Sequence, residues 1–135
     1  MSTVKFEQGF EMKITEKQKE LLLMNSTVIE NFFDDDVLLI PTYVSQKSFE
    51  LILHFLDICP AETIKFERPI DKDEFHKKAY MFENWIHTID KKELFDLLNS
   101  ANYLIINSLI ELLCAAIALK IKYMTNEEMK EYFTI

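Results

Sequence analysis

Glycine is almost missing from this chain. Of 135 residues only Gly9 is one. A loop that cradles phosphate needs several glycines so that backbone amides can reach the anion, and no such loop can be built here. Prolines number three, and this scarcity of breakers predicts helices joined by short connections. The two cysteines, Cys59 and Cys114, lie far apart and form no motif. With no signal peptide at "MSTVKFEQGF", the simplest reading is a reduced, intracellular chain. His54, His76 and His87 have no second His or Cys at metal-ligand spacing. Basic charge is in the minority, with 15 Lys and Arg against 23 Asp and Glu, a net charge of −8 and a pI near 4.9. Without a Lys/Arg footprint, nucleic acid and anionic membrane surfaces are not expected partners. The longest apolar run, residues 112–119, is flanked by Glu111 and Lys120. It is far short of the about 20 residues a membrane helix needs, so it reads as a core helix.

What the chain does have is core-forming material: 49% hydrophobic and 13% aromatic residues, enough for one folded domain. Val4 and Phe6, then Phe10, Met12 and Ile14, alternate with polar residues, which predicts a hairpin turned at Gly9. Thr15 has Gln18 three residues on, a capping-box spacing that starts a helix. "NSTVIENFFDDD" predicts a short helix burying Val28, Ile29, Phe32 and Phe33, with residues 34–36 as a loop. "VLLIP" predicts a short buried strand ending at Pro41. Ser45 opens a helix whose stripe is Phe49, Ile52, Leu53 and Leu56. Residues 57–70 read as a loop, with a short strand near residues 64–66. From Asp71 a further helix places Phe75, Ala79, Phe82 and Ile86 on one face, with Trp85 beside them. Three capping boxes, Asp90 with Glu93, Ser108 with Glu111 and Thr125 with Glu128, divide the rest into helices near 91–103, 109–122 and 126–133. The fold class expected is α+β, a small sheet covered by helices with a helical C-terminal extension. No internal repeat or low-complexity segment is visible.

Chemistry is hard to find. His54 reads as a half-exposed histidine at the core edge, and Cys114, among Leu113, Ala115 and Ala116, as an inert buried thiol. Glu83, Glu127 and Glu128 read as solvated helix faces. No nucleophile has a base and an orienting third group, so neither an enzyme nor a cofactor is expected. The plentiful Phe, Tyr and Met suit an interaction protein, although most of the 11 Phe residues read as core. Asn102-Tyr103, set inside the apolar run "NSANYLIINSLIELLC", admits two explanations. Either Tyr103 is a core tyrosine with a satisfied hydroxyl, or the pair faces a partner.

That run begins a longer resemblance. "LFDLLNSANYLIINSLIELLCAAIALKIKYMTNEEMKEYFTI", residues 94–135, resembles the S-phase kinase-associated adaptor family of SCF ubiquitin ligases. The shared positions include Leu94, Phe95, Leu98, Ala101, Asn102, Tyr103, Leu104, Ile106, Leu109, Cys114, Ala118, Ile121, Lys122, Thr125, Glu127, Glu128, Phe133 and Ile135. "GFEMKI", "STVIENFFDD" and "LLIPTYVSQKSFELILHFL" resemble the family's N-terminal half more weakly, and residues 57–80 fall outside the match. The resemblance implies a BTB/POZ-type fold. Residues 1–106 would form the BTB/POZ-like domain and residues 107–135 the F-box-binding helices. It implies a non-catalytic bridge between a cullin and F-box proteins, working in cytoplasm and nucleus. It assigns Phe95, Asn102 and Tyr103 to a cullin-binding patch. Met129, Phe133 and Ile135 fall to an F-box-binding face, which a second copy of this chain could also cover.

Three departures accompany the match. The family pattern continues with two further helices, so a short form with a reduced F-box groove is expected. A family proline is Asn126 here. The usual acidic, proline-rich loop is replaced by "CPAETIKFERPIDKDEFHKKAY". The competing expectations are a BTB-like structural or self-assembling module outside any ligase, and an elongin-C-like adaptor.

Overall fold

The computed structural model describes residues 2–7, 9–41, 43–58, 71–78, 80–122 and 124–134, leaving aside the side chains of residues 78–81, 83 and 84. Strands β1 (Ser2–Phe6) and β2 (Glu11–Ile14) form the expected hairpin, paired antiparallel with Val4 opposite Met12. Gly9 takes φ 102°, a conformation that costs little only without a Cβ. Phe10 lies beyond the last paired residues and is 56% exposed, so the buried alternation holds for Ile14 and in part for Met12 but not for Phe10. After helix α1 (Glu16–Asn25), a 3₁₀ turn (Ile29–Phe32) leads into β3 (Phe33–Asp34) and β4 (Val37–Ile40). The sheet order is β2-β1-β4-β3, with β1 and β4 parallel. The expected helix over residues 28–33 is therefore a single turn that fully buries only Ile29. Its Phe33 is captured by the edge pairing with Leu38. The acidic stretch forms the β3–β4 connection, and Asp35 supplies a left-handed turn residue at φ 53°, which Asp tolerates better than most. Strand β4 is half-buried rather than buried throughout, because Leu38 and Ile40 point inward while Leu39 is 49% exposed.

Helix α2 (Gln46–Ile58) starts at Ser45, whose hydroxyl accepts from the Ser48 N–H at 3.1 Å. Its predicted stripe, Phe49, Ile52, Leu53 and Leu56, is buried. Phe49 meets Phe6 of β1 edge-on at 5.7 Å, which seats the helix on the sheet. After Asp71 the described residues are helical over Lys72–Lys78 (α3) and Tyr80–His87 (α4), with Phe75, Phe82 and Ile86 buried and Trp85 beside them. Ala79 and residues 64–66 lie outside the described residues. The remaining helices are α5 (Lys91–Leu104), α6 (Asn107–Ile121) and α7 (Asn126–Phe133).

The caps at Thr15 and Thr125 are full capping boxes, and Asp90 caps α5 by accepting from the Glu93 N–H at 2.8 Å. The box expected at Ser108 does not form. Helix α6 begins at Asn107 behind Ile106, which has no side-chain cap and is completely buried. Burying an isoleucine outweighs the roughly 1 kcal/mol a hydroxyl cap supplies. One cluster of buried side chains runs from Val4 to Ile117, drawing on the sheet and on helices α1 to α6. Among the described residues the fold is α+β and mostly helical, with a four-stranded sheet and seven helices, the class expected from the sequence. No described helix is long and apolar enough to cross a membrane.

Candidate protein-interaction surfaces

Helix α5 carries two separate surfaces. Leu94, Leu97, Ala101 and Leu104 form its fully buried stripe. The other side of its C-terminal turn exposes Asn102 and Tyr103. Tyr103 is 38% exposed, and its ring stacks nearly parallel to Phe32, centroids 5.9 Å apart at 12°. Tyr43 adds a third ring, 5.6 Å from Tyr103 and itself 77% exposed. The turn from Pro41 to Val44, closed by a 3.1 Å bond from the Val44 N–H to the Pro41 carbonyl, buries Val44 and throws Tyr43 outward. Tyr103 is thus not a core tyrosine. It is the middle ring of an exposed aromatic ladder. Phe32 also lines a groove of about 330 Å³ with Lys5, Phe6, Glu7, Leu39, Ile40 and Pro41.

Two local devices hold this surface. The buried Ser26 hydroxyl donates to the Leu104 carbonyl and accepts from the Ile29 N–H at 3.1 Å. One hydroxyl therefore satisfies an orphan carbonyl in the last turn of α5 and a donor at the start of the 3₁₀ turn. It fixes that turn, and so Phe32, against α5. The second device is Ile105, the C-cap of α5, at φ 53° and ψ 54°. Its N–H reaches the carbonyls of Ala101 and Asn102. This left-handed position usually falls to glycine, and a β-branched residue pays a steric penalty there. Ile105 nevertheless holds it while 38% exposed beside Tyr103.

The other surface lies toward the first turns of α5. Phe95, expected with Asn102 and Tyr103, is not in contact with the ladder. Its ring partners are Tyr132 at 5.7 Å and Phe133 at 5.9 Å, both from α7. Phe95 and Asn102 are two helical turns apart, about 10 Å along the axis. Helix α7 packs against Phe95 and Lys91 of α5. Lys91 donates to the Thr134 carbonyl at 3.2 Å, and its ammonium sits 5.5 Å from the centroid of the Tyr132 ring. No residue of α7 is fully buried. Met129 is half-buried, Phe133 is 49% exposed, and Ile135 lies outside the described residues. The Tyr132 hydroxyl is buried without a hydrogen-bond partner among the described residues, and burial raises its pKa above the usual tyrosine value.

The residues considered for chemistry take ordinary places. His54 is exposed, its ring 5.6 Å from that of the half-buried Trp85. Cys114 is partly exposed rather than buried, because α6 turns that side away from the core. Among the described residues no cluster of His, Cys, Asp or Glu could hold a metal ion. Sequence reasoning missed Phe32, Tyr43, Ser26 and Ile105. Phe32 had been counted as core. Ile105, apolar immediately after an exposed helix end, carried the one usable signal.

A small sheet packed under helices, with two exposed aromatic surfaces on one of them, defines a protein-interaction domain. Comparison with known proteins shows what the chain is similar to. Residues 107–135 match the Skp1 family, dimerisation domain. The SCF ubiquitin ligase complex protein SKP1b of Dictyostelium discoideum is 29% identical over 142 residues, covering 100% of this chain and 85% of that protein. The S-phase kinase-associated protein 1 homolog of Tetrahymena thermophila is 26% identical, covering 94% and 79%. SKP1-like protein 12 of Arabidopsis thaliana is 25% identical, covering 95% and 78%. The family model matches only the C-terminal helices, while the relatives, modest in identity, align over nearly the whole chain and make it similar to SKP1-like proteins.

Proposed function

We propose that this protein is a non-catalytic adaptor of an SCF-type ubiquitin ligase, joining a cullin to F-box proteins in the cytoplasm and nucleus. The observation that carries the reading is the exposed ladder Phe32–Tyr103–Tyr43. A half-buried phenylalanine stacked on an exposed tyrosine, a second exposed tyrosine tilted against it and an exposed isoleucine alongside are the composition of an interface core rather than of an ordinary solvated face. The ladder and Asn102 are the cullin-binding patch in this reading, and the α7 face with Met129, Phe133 and Phe95 meets the F-box helix. Helix α5 ties both together. Its 14 residues make a rod of about 21 Å with Phe95 near its start and Tyr103 near its end. A bridge needs its two partners held at a fixed distance, and a single packed helix provides that.

The test is capture of a cullin N-terminal region by the protein and by the double variant Asn102→Lys, Tyr103→Lys. Both side chains are exposed, so the variant should stay folded by circular dichroism. Losing a central aromatic anchor and desolvating two ammonium groups should weaken binding by at least about 30-fold. Unchanged affinity in a folded double variant refutes the cullin assignment. Self-association without cullin binding would favour the structural-module reading instead.

A further inference from the structure

The adaptor reading uses the ladder and the α7 face. It leaves unused a more enclosed cavity on a different part of the molecule, where α3 and α4 meet α6. This cavity holds about 320 Å³, within the lower range of small-molecule sites. Phe75, Ile86, Ala116 and Leu119 give it apolar walls, and Lys72, His87 and Lys120 contribute the nitrogen-bearing groups. Phe75 and Ile86 are 5% and 3% exposed, so the walls belong to the packed core rather than to a loose surface. The polar lining is of one kind. In a chain with net charge −8, the ionisable groups that line this cavity among the described residues are two lysines and a histidine.

We infer that this cavity is a binding site for a small amphiphilic carboxylate, with the hydrocarbon body among Phe75, Ile86, Ala116 and Leu119 and the carboxylate between Lys72 and Lys120. Both halves of the ligand follow from the lining. Apolar walls select a hydrocarbon by area buried, while two ammonium groups at the mouth, Lys72 exposed and Lys120 half-buried, select an anion and reject a cation. An acidic protein repels anions at long range, so the local pair of lysines has to do the selecting at short range. A neutral alcohol of the same length would keep the first contribution and lose the second.

Isothermal titration of the full chain with hexanoate, heptanoate and octanoate tests the proposal, with octanol and octyltrimethylammonium as the matched neutral and cationic probes. Each added methylene should raise affinity about fourfold while it still enters the cavity. Octanol should bind more weakly than octanoate, and octyltrimethylammonium should not bind measurably. Lys120→Glu should weaken octanoate at least about tenfold and leave octanol unchanged. Ala116→Phe, which fills the cavity, should abolish both. If Ala116→Phe does not fold, Leu119→Trp serves in its place. Methyl octanoate, in which the carboxylate is esterified, should bind more weakly than octanoate, and equal or tighter binding of the ester overturns the inference. Absence of saturable octanoate binding overturns the inference. Equal affinity for the anionic and cationic probes, or octanoate binding indifferent to Lys120→Glu, overturns it as well.

Discussion

Ile105 offers a sharp test of the structure, because its backbone and its side chain ask for opposite residues. At φ 53° and ψ 54° the Cβ of an L-residue crowds the following carbonyl, at a cost of roughly 1–2 kcal/mol. Comparing Ile105→Ala with Ile105→Gly isolates this cost. Both variants remove the same branched side chain, so lost contacts cancel between them, but only glycine removes the Cβ. Glycine's greater freedom in the unfolded chain offsets part of the gain. The net expectation is that the glycine variant is more stable than the alanine variant by about 1 kcal/mol. In a helix interior the order is reversed, alanine being better by roughly the same amount. For a chain of this size the difference corresponds to a Tm gap of about 3–5 °C. Urea unfolding with matched m-values, backed by thermal melts, measures it. An alanine variant as stable as the glycine variant, or more so, would show that α5 does not end in a left-handed residue at Ile105. The geometry holding Tyr103 beside Tyr43 would then be wrong. Both variants should also bind cullin more weakly than the parent, since the isoleucine side chain is gone from the rim of the ladder.

Ser26→Ala leaves the Leu104 carbonyl and the Ile29 N–H without their shared partner, and should cost about 2 kcal/mol by chemical denaturation. A change within error would mean that the hydroxyl is dispensable. Burial raises the Tyr132 pKa, so the phenol holds its proton more tightly in the folded state than in the unfolded one. Its contribution to stability is complete below the ordinary tyrosine range and is lost as pH rises from there through the raised folded value. A tyrosinate absorbance titration of the folded protein should therefore lose a late-titrating group on Tyr132→Phe. Loss of an early one contradicts the assignment. Phe133→Ala should change stability little, by under about 1 kcal/mol for so exposed a ring, yet weaken binding of an F-box peptide. If neither peptide binding nor self-association distinguishes it from the parent, the α7 face is not an interface.

Features decided within a few residues were legible in advance. Thr15, Asp90 and Thr125 cap their helices because the acceptor and the amide it satisfies lie three positions apart, with little interference from the rest of the fold. Ser108 had the same spacing, but the demand to bury Ile106 moved the helix start. Phe95 shows the same limit at the level of a site. Its spacing of seven from Asn102 does give a common helix face, but which ring packs over that face depends on where α7 lands, and no local pattern records it. Phe32 and Phe33 read as core because an aromatic beside an apolar run usually is. That Phe32 became the outer support of Tyr103 follows from Ser26, 78 residues from the carbonyl it bonds. Asn102 and Tyr103 were noticed only because they interrupt the apolar pattern.

The strand order has a consequence for how the chain reaches its native state. Strand β1 is internal to the sheet, flanked by β2 and by its parallel neighbour β4, with Val4 registered against Leu38. The hairpin with β2 can close as soon as Ile14 is made, but the opposite edge of β1 stays open until α1, the 3₁₀ turn and β3 have been laid down. During synthesis that edge has its backbone groups unpaired for some thirty residues of chain growth, about 2–6 s at ordinary elongation rates. A nascent edge of this kind is where strands from other chains add. The protein should therefore be most prone to misassembly before Val37–Ile40 leaves the ribosome, and substitutions that slow that step should lower the yield of soluble protein without altering the stability of what does fold.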